Sequence, residues 1–375
     1  MIGGFGLGIR LLAFGRTRLL IAFSAIAVAV VIMFVQLGLL LGILDSQAMI
    51  ANLVKGDLVV MSRSRTNLHK WNDLDRIRLS QIASQPGVER VVPVYQSTMG
   101  ILDPKDRVIR RIVIMAFPPS DVPLAIGDAD EIGRALQLPD TVLYDRRSRP
   151  IFGAFDVGDD VELDGALYRV AGFVDIGPDI VNDGIMVMGD GTWLAGHPGA
   201  QPIMGAIRLT PGVAAERAKE RILAALPDDI SVFTPQEVRS REISFTLRSA
   251  PIGLLFGIGM LSGLVIGSVT CYQILFIEIM DRIKQYAMLK AMGFSDAFLR
   301  RIILEQSILL SCGGFALGFV AAWAVYAYVA KATFLAVRLS VFSTALILAL
   351  ATVMSVTAGL IALRRVAAAD PAELY

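Results

Sequence analysis

Asp175, Asp179 and Asp183 recur in one loop beside Gly177 and Gly184, a carboxylate-rich, glycine-bent segment of the kind that can offer oxygen ligands to calcium. Their spacing departs from the twelve-residue EF-hand loop, so ordinary turn carboxylates are the simpler reading. The two histidines, His69 and His197, lie far apart without metal-ligand spacing, which makes them loop histidines instead of a zinc pair. Cys271 and Cys312 both fall inside apolar runs, where a small buried residue is the expected role. No serine sits in a nucleophile elbow, and no Gly-x-x-x-x-Gly-Lys-Ser/Thr phosphate loop occurs. The sequence therefore predicts a non-catalytic chain without resident cofactor or metal, whose energy comes from a partner or a gradient.

The stretch that could receive such energy is Met280–Phe294, wedged between two long apolar runs and followed by Arg300 and Arg301. It carries Arg282, Lys284 and Lys290, and helical spacing lets Ala287, Ala291 and Phe294 share one face. A short amphipathic helix fixed between two membrane spans suits a push from a protein outside the bilayer. The simpler alternative is a basic loop that anchors the two spans at the head groups.

The surrounding elements follow from composition. Of 375 residues, 55% are hydrophobic and 18% charged, with a mean hydropathy of +0.62, far above a soluble domain. The net charge of +1 and the lack of a basic tract away from the apolar runs exclude a nucleic-acid partner. Four runs are long enough to cross a hydrocarbon core of about 30 Å: 19–44, 251–279, 303–330 and 341–363. Arg10, Arg16 and Arg18, the basic residues of 280–302, and Arg364 and Arg365 flank them. By the positive-inside rule, segments 1–18, 280–302 and 364–375 are cytoplasmic, with both termini inside. That leaves 45–250 and the short loop 331–340, with Lys331 and Arg338, on the outer side.

Gly259, Gly263 and Gly267 repeat every four residues on the second span, and Gly314, Gly318 and Ala322 do so on the third. Such rows let helix backbones approach closely in lipid, either within one bundle or across a dimer seam. Gln36, Tyr272 and Gln273 could hydrogen-bond between spans, while Glu278 and Glu305 lie near the cytoplasmic ends.

The outer region reads as an α+β domain. Strands are expected at Asp57–Met61, Val88–Tyr95 and Val108–Met115, and a hairpin at 159–163 and 167–174 around Asp164-Gly165. Helices are expected at 73–84, capped by Asn72 or Asp73, and at 213–226, with Ala218, Ile222 and Leu226 on one side. Residues 179–184 and 189–199 read as loops. Arg63, Arg65, His69 and Lys70 form a basic loop, solvated or touching anionic lipid. Thr234-Pro235 should open a helix that continues through Arg248 into the second span, as a stiff lever.

Ile32–Gly38, Gly56–Ser62, Pro251–Gly253, Tyr272–Leu275, Gln285–Phe294 and the tail Ala369–Leu374 together make the chain resemble the FtsX/MacB-like permeases of ABC systems. The resemblance is nearest to the DevC type, associated with glycolipid export in heterocyst-forming cyanobacteria. It implies a type VII ABC architecture in a bacterial inner membrane: an amphipathic N-terminal segment, four transmembrane helices, and an α+β periplasmic domain inserted between the first and second. It also implies a coupling helix that docks on a separate ATPase, where Mg-ATP binds. The positions matching that helix are Arg282, Lys284, Gln285, Tyr286, Ala287, Leu289, Lys290, Ala291, Gly293 and Phe294. Gln285 stands where a glutamate is common, which removes a charge but keeps a hydrogen-bonding side chain.

Further implied partners are a second permease copy, a membrane-fusion protein and an outer-membrane duct, with a lipid-like or periplasmic substrate. Alternatives within the architecture are a regulator of a periplasmic enzyme and a lipoprotein-release permease. A gradient-driven carrier is disfavoured by the scarcity of charge near the bilayer midplane.

Overall fold

A computed structural model describes residues 16–65, 73–102, 108–179, 181–249, 251–333 and 337–368. Residues 1–15 of the expected N-terminal segment, His69, Lys70, Asn72 and the Ala369–Leu374 tail lie outside them. The chain begins with α1 (Arg16–Gln47) and α2 (Met49–Leu53), followed by β1 (Leu58–Ser62), α3 (Arg76–Ala83), β2 (Val88–Leu102), β3 (Ile109–Phe117), α4 (Ala129–Leu136) and β4 (Thr141–Asp145). Next come β5 (Asp160–Leu163), β6 (Ala166–Val174), β7 (Ile185–Gly189), α5 (Asp190–Gly196), β8 (Met204–Leu209), α6 (Ala215–Ala225), β9 (Ile230–Phe233) and α7 (Pro235–Ser249). It closes with α8 (Ile252–Asp281), α9 (Ile283–Ala291), α10 (Asp296–Thr333) and α11 (Val341–Ala368).

Two compact units result: a helical one that draws on residues up to Gly42, Pro251–Thr333 and residues from Val337 onward, and a mixed one spanning Ile43–Ala250. In the helical unit, α1, α8, α10 and α11 each contain a stretch long and apolar enough to cross a membrane. They extend beyond the apolar runs at several ends. Most notably, α10 starts at Asp296, so two turns of helix occupy residues expected in the loop before Ile303, and it runs to Thr333.

In the mixed unit, nine described strands run in the order β3-β7-β4-β6-β5-β2-β8-β1-β9, with β2 also pairing β3. The fifteen-residue β2 belongs to two layers. Its first half, Val88–Val94, pairs antiparallel with β8, and Tyr95–Leu102 pairs with β3, while Ile101 meets Leu163 of β5. Six strands thus close on themselves, and β8-β1-β9 extend from the shared strand. Alternation buries β3 on both faces: Ile112, Ile114 and Ala116 join one core, Val113, Met115 and Phe117 another. A third cluster places Leu79 and Ile82 of α3 and Ala218 and Ile222 of α6 with Leu58, Val60 and Ile207.

Several local readings change in this unit. The cap of α3 is Asp75, whose carboxylate accepts the Ile77 N–H at 2.9 Å, so the helix starts later than a cap at Asn72 or Asp73 would give. Residues 190–196, expected as loop, form α5 and bury Trp193. The Asp164-Gly165 hairpin stands, with φ of 46° and 86° at the two positions, the left-handed pair a two-residue turn requires. At Thr234 the cap is reciprocal: Thr234 Oγ1 accepts from the Glu237 N–H at 3.2 Å, and Glu237 accepts the Thr234 N–H at 2.8 Å. The helix it opens ends at Ser249, and a separate one starts at Ile252 with Pro251 as its N-cap, so the continuous lever is two helices in sequence. Proline explains the second start: it lacks an N–H to donate but fits a first turn.

Candidate functional site

The junction between the second and third apolar helices is built from two chain breaks. At Arg282, the C-cap of α8, the backbone leaves the helical region (φ −114°, ψ 13°), and its carbonyl then accepts the Gln285 and Tyr286 N–H groups that start α9. At the far end, Gly293 sits at φ +90° and the Phe294 N–H reaches back to the Leu289 carbonyl at 3.2 Å, a Schellman closure that favours glycine at that position. Between them α9 is a nine-residue helix.

Its two sides differ. Lys284, Gln285, Ala287, Met288, Ala291, Met292, Gly293 and Phe294 are exposed, so apolar side chains and the Lys284 ammonium share the outward side. Met288 and Met292, four residues apart beside Ala287 and Ala291, enlarge the face that sequence reasoning drew from Ala287, Ala291 and Phe294 alone. The Phe294 ring lies 4.7 Å from that of Phe298 in α10. Tyr286, by contrast, turns inward and is 9% exposed, and Leu289 is half-buried. Burial pushes the Tyr286 phenol above its ordinary value, the Arg282 charge opposing and the Glu278 charge adding to the rise. Arg282 is held by Glu278 of the preceding turn at 2.7 Å. The side chain of Lys290 lies outside the described set.

The glycine rows face α1. A Cβ on Gly314 would stand 2.5 Å from Ile26 Cγ2 and one on Gly318 2.7 Å from Val30 Cγ1, while Ala322 is fully buried. Gly259 packs against Gln36, Gly263 against Ile32 and Met33, and Gly267 against Ala29 and Met354. Tyr326 adds a hydrogen bond to the Phe34 carbonyl. Buried small polar groups join the helices elsewhere: Cys271 Sγ to Ser355 Oγ at 3.4 Å and Ser311 to Thr352 at 3.2 Å. Cys312 is exposed on the surface of its apolar helix, at a position that would face lipid if that helix crosses a membrane. Composition marks these serines only as tolerated small residues, so sequence reasoning passed over them.

In the mixed unit the suspected ligands have structural work. Asp179 accepts the Val181 and Asn182 N–H groups at 2.6 Å and the Asn182 amide at 2.8 Å, and Asp183 pairs with Arg149 at 2.6 Å. His197 stacks on Trp193 at 3.8 Å. Among the described residues no group of three His, Cys, Asp or Glu side chains is placed to hold a metal. Arg65 is 3% exposed, and burial lowers its guanidinium to about 10 against the opposing charges of Asp73 and Glu242.

Residues 19–225 match the MacB-like periplasmic core domain family, over half of the chain, and residues 250–371 match the FtsX-like permease C-terminal family. The chain belongs to the FtsX/MacB-like permease family. Members of this permease family are components of ABC systems and work with ABC ATPases. Among solved structures, the periplasmic region of MacB from Actinobacillus actinomycetemcomitans is similar at 12% identity, covering 51% of this chain and 94% of that one with a TM-score of 0.37. The extracellular domain of the noncanonic ABC-type transporter YknZ from Gram-positive bacteria is similar at 10% identity, over 47% and 99% of the two chains, with a TM-score of 0.36. No curated protein sequence matches the chain.

Proposed function

We propose that this permease is the membrane subunit of a DevC-type ABC export system, in which a separate ATPase binds Mg-ATP and pushes on α9. The observation that carries the reading is the set of exposed apolar side chains Ala287, Met288, Ala291 and Met292 between two chain breaks, with Phe294 just past the second, flanked by Arg282, Lys284, Arg300 and Arg301. A face with this composition is poor at lying in water and well suited to a cleft in a partner protein. Under the positive-inside rule the flanking cations support a cytoplasmic side for this junction, with both termini on the cytoplasmic face of a bacterial inner membrane.

On this reading residues 45–250 form a periplasmic insertion between the first and second spans, and closure of the ATPase at α9 is carried to it through α8 and α7. Two copies of the chain face two ATPase subunits. A membrane-fusion protein and an outer-membrane duct receive a lipid-like or periplasmic substrate. Gln285 is exposed and contributes a neutral hydrogen-bonding group to the docking surface.

The test is association in a reconstituted complex. Met292→Asp or Phe294→Ala is expected to lower recovery of the ATPase with the permease by about tenfold, the scale of losing one buried interface anchor, and to abolish permease-stimulated hydrolysis. Undiminished association in both variants contradicts the docking assignment.

A further inference from the structure

One cleft of the mixed unit collects cations from three separate segments. Lys55, just past α2, Arg134 of α4 and Arg208 of β8 line a cavity of about 510 Å³ together with Ser120, Asp121 and Asp130. Backbone pairing brings them together. The Lys55 N–H donates to the Pro123 carbonyl and the Ala125 N–H to the Leu53 carbonyl, each at 2.7 Å, so the chain before Lys55 runs along the loop that follows β3. Helix α4 meets the same loop so closely that a Cβ on Gly133 would stand 2.6 Å from the Pro119 carbonyl oxygen, and Arg134 is the next residue.

The charges of this cleft do not balance. Arg90 of β2 and Arg208 of β8 are direct cross-strand partners, an arrangement that is destabilising for like charges unless an anion intervenes. Asp121 is that anion: its side chain is 10% exposed, and its carboxylate takes Arg90 at 3.0 Å and Arg208 at 3.5 Å. One carboxylate thus serves two guanidinium groups. Lys55 and Arg134 are exposed, and among the described residues neither makes an ion pair; the Arg134 Nε–H donates to the Asp130 carbonyl of its own helix at 3.2 Å. Against all four cations the cleft wall sets only Asp121 and Asp130, which leaves positive charge in excess.

The geometry points to this cleft as a binding site for a phosphate group, with Lys55, Arg134 and Arg208 as its cationic walls and the Ser120 hydroxyl as a neutral donor. Cations on separate segments suit an anion that offers oxygens in several directions, and guanidinium groups match phosphate oxygens through paired N–H donors. Such a group arrives either on a lipid head group or free in solution. A head group is within reach, because Lys55 follows Gln47, the last residue of α1, by at most about 30 Å of extended chain. The site goes beyond the export reading and does not depend on ATPase docking.

The experiment uses the full permease in phosphatidylcholine nanodiscs. Inorganic phosphate is titrated by isothermal calorimetry at low ionic strength; in a second preparation phosphatidylglycerol is added to the bilayer, and native mass spectrometry identifies the lipid that the protein retains. The wild-type chain is expected to bind at least one of these probes, and the Lys55→Gln/Arg134→Gln double variant to bind it about tenfold more weakly, the scale of losing charge-assisted hydrogen bonds. Both side chains are exposed, so the melting temperature should not move. Asp130→Asn removes an opposing charge and should tighten binding about threefold. Retained phosphatidylglycerol without heat from phosphate assigns a lipid head group, and heat without retained lipid assigns a soluble phosphate. Neither probe bound, or equal binding in the double variant, overturns the site. Binding of a polyglutamate peptide in place of both probes also overturns it and gives the cleft to a protein partner. No ATPase is present in these assays, so failure here is distinct from failure of the docking reading.

Discussion

In the mixed unit, the Asp145 carboxylate is fully buried and receives the N–H groups of Arg147, Ile176 and Gly177 at 2.8–3.1 Å. In the helical unit, the junction helix α9 instead leaves Ala287, Met288 and Ala291 exposed. The first arrangement fixes a loop, because moving any of the three donors strands a buried charge; burial raises the Asp145 pKa, with the three N–H bonds opposing it. The second leaves apolar side chains uncovered within this chain. Buried polar chemistry thus locks a loop of the mixed unit, while the junction of the helical unit keeps apolar side chains at its surface.

The largest effect should come from breaking the locked side. Asp145→Ala strands three buried N–H groups and is expected to cost about 3 kcal/mol or more, read as a lowered thermal midpoint of the purified permease. On the helical side, Gly318→Leu pushes a side chain into Val30 where α1 and α10 touch. Overpacking of this kind costs about 2–3 kcal/mol, and thermal unfolding in detergent should show it while leaving the mixed unit folded. A smaller loss, about 1 kcal/mol, is expected for Gly293→Ala, which places a Cβ on a backbone at φ +90°. Its measurable consequence is weaker stimulated hydrolysis from a mispositioned α9 with little change in melting.

How far these regions were legible from sequence also differs. Asp164-Gly165 could be read as a turn because local chemistry decides it, and the four apolar helices because length and hydropathy decide them. The long β2 was not legible past Tyr95, where Gln96, Ser97 and Gly100 interrupt the apolar run. Pro93 sits inside the expected strand without breaking it: the Val94 carbonyl faces the β8 side, accepting from Ile203, so Pro93 turns its missing N–H to the opposite side, where pairing with β3 begins only at Tyr95. Closure of six strands depends on pairings far apart in sequence, which no local pattern carries. At the junction, Tyr286, Ala287 and Met288 are all apolar neighbours, and spacing alone does not say which one turns inward.

The subtlest expectation concerns acid. Burial tends to raise the Glu237 carboxyl, but hydrogen bonds from Lys219 and Thr234 and the Lys219 charge outweigh it and hold it below its ordinary value. Depressed in the folded chain, it contributes stability above about 4.5, the unfolded value, and loses it as pH falls through the folded one. Glu237→Gln should therefore flatten the acid limb of a stability-against-pH curve. An unchanged limb would assign acid sensitivity to other carboxylates. The side chain is 42% exposed, so solvent screening keeps this contribution small.

The central claim, that α9 receives the push, is most directly tested by a photo-reactive amino acid at Ala291, with Ile258 on the outward side of α8 as the control position. In the active complex the account predicts a covalent adduct between residue 291 and the ATPase, and none from residue 258. An active complex in which residue 291 captures only lipid or a second permease copy would contradict it.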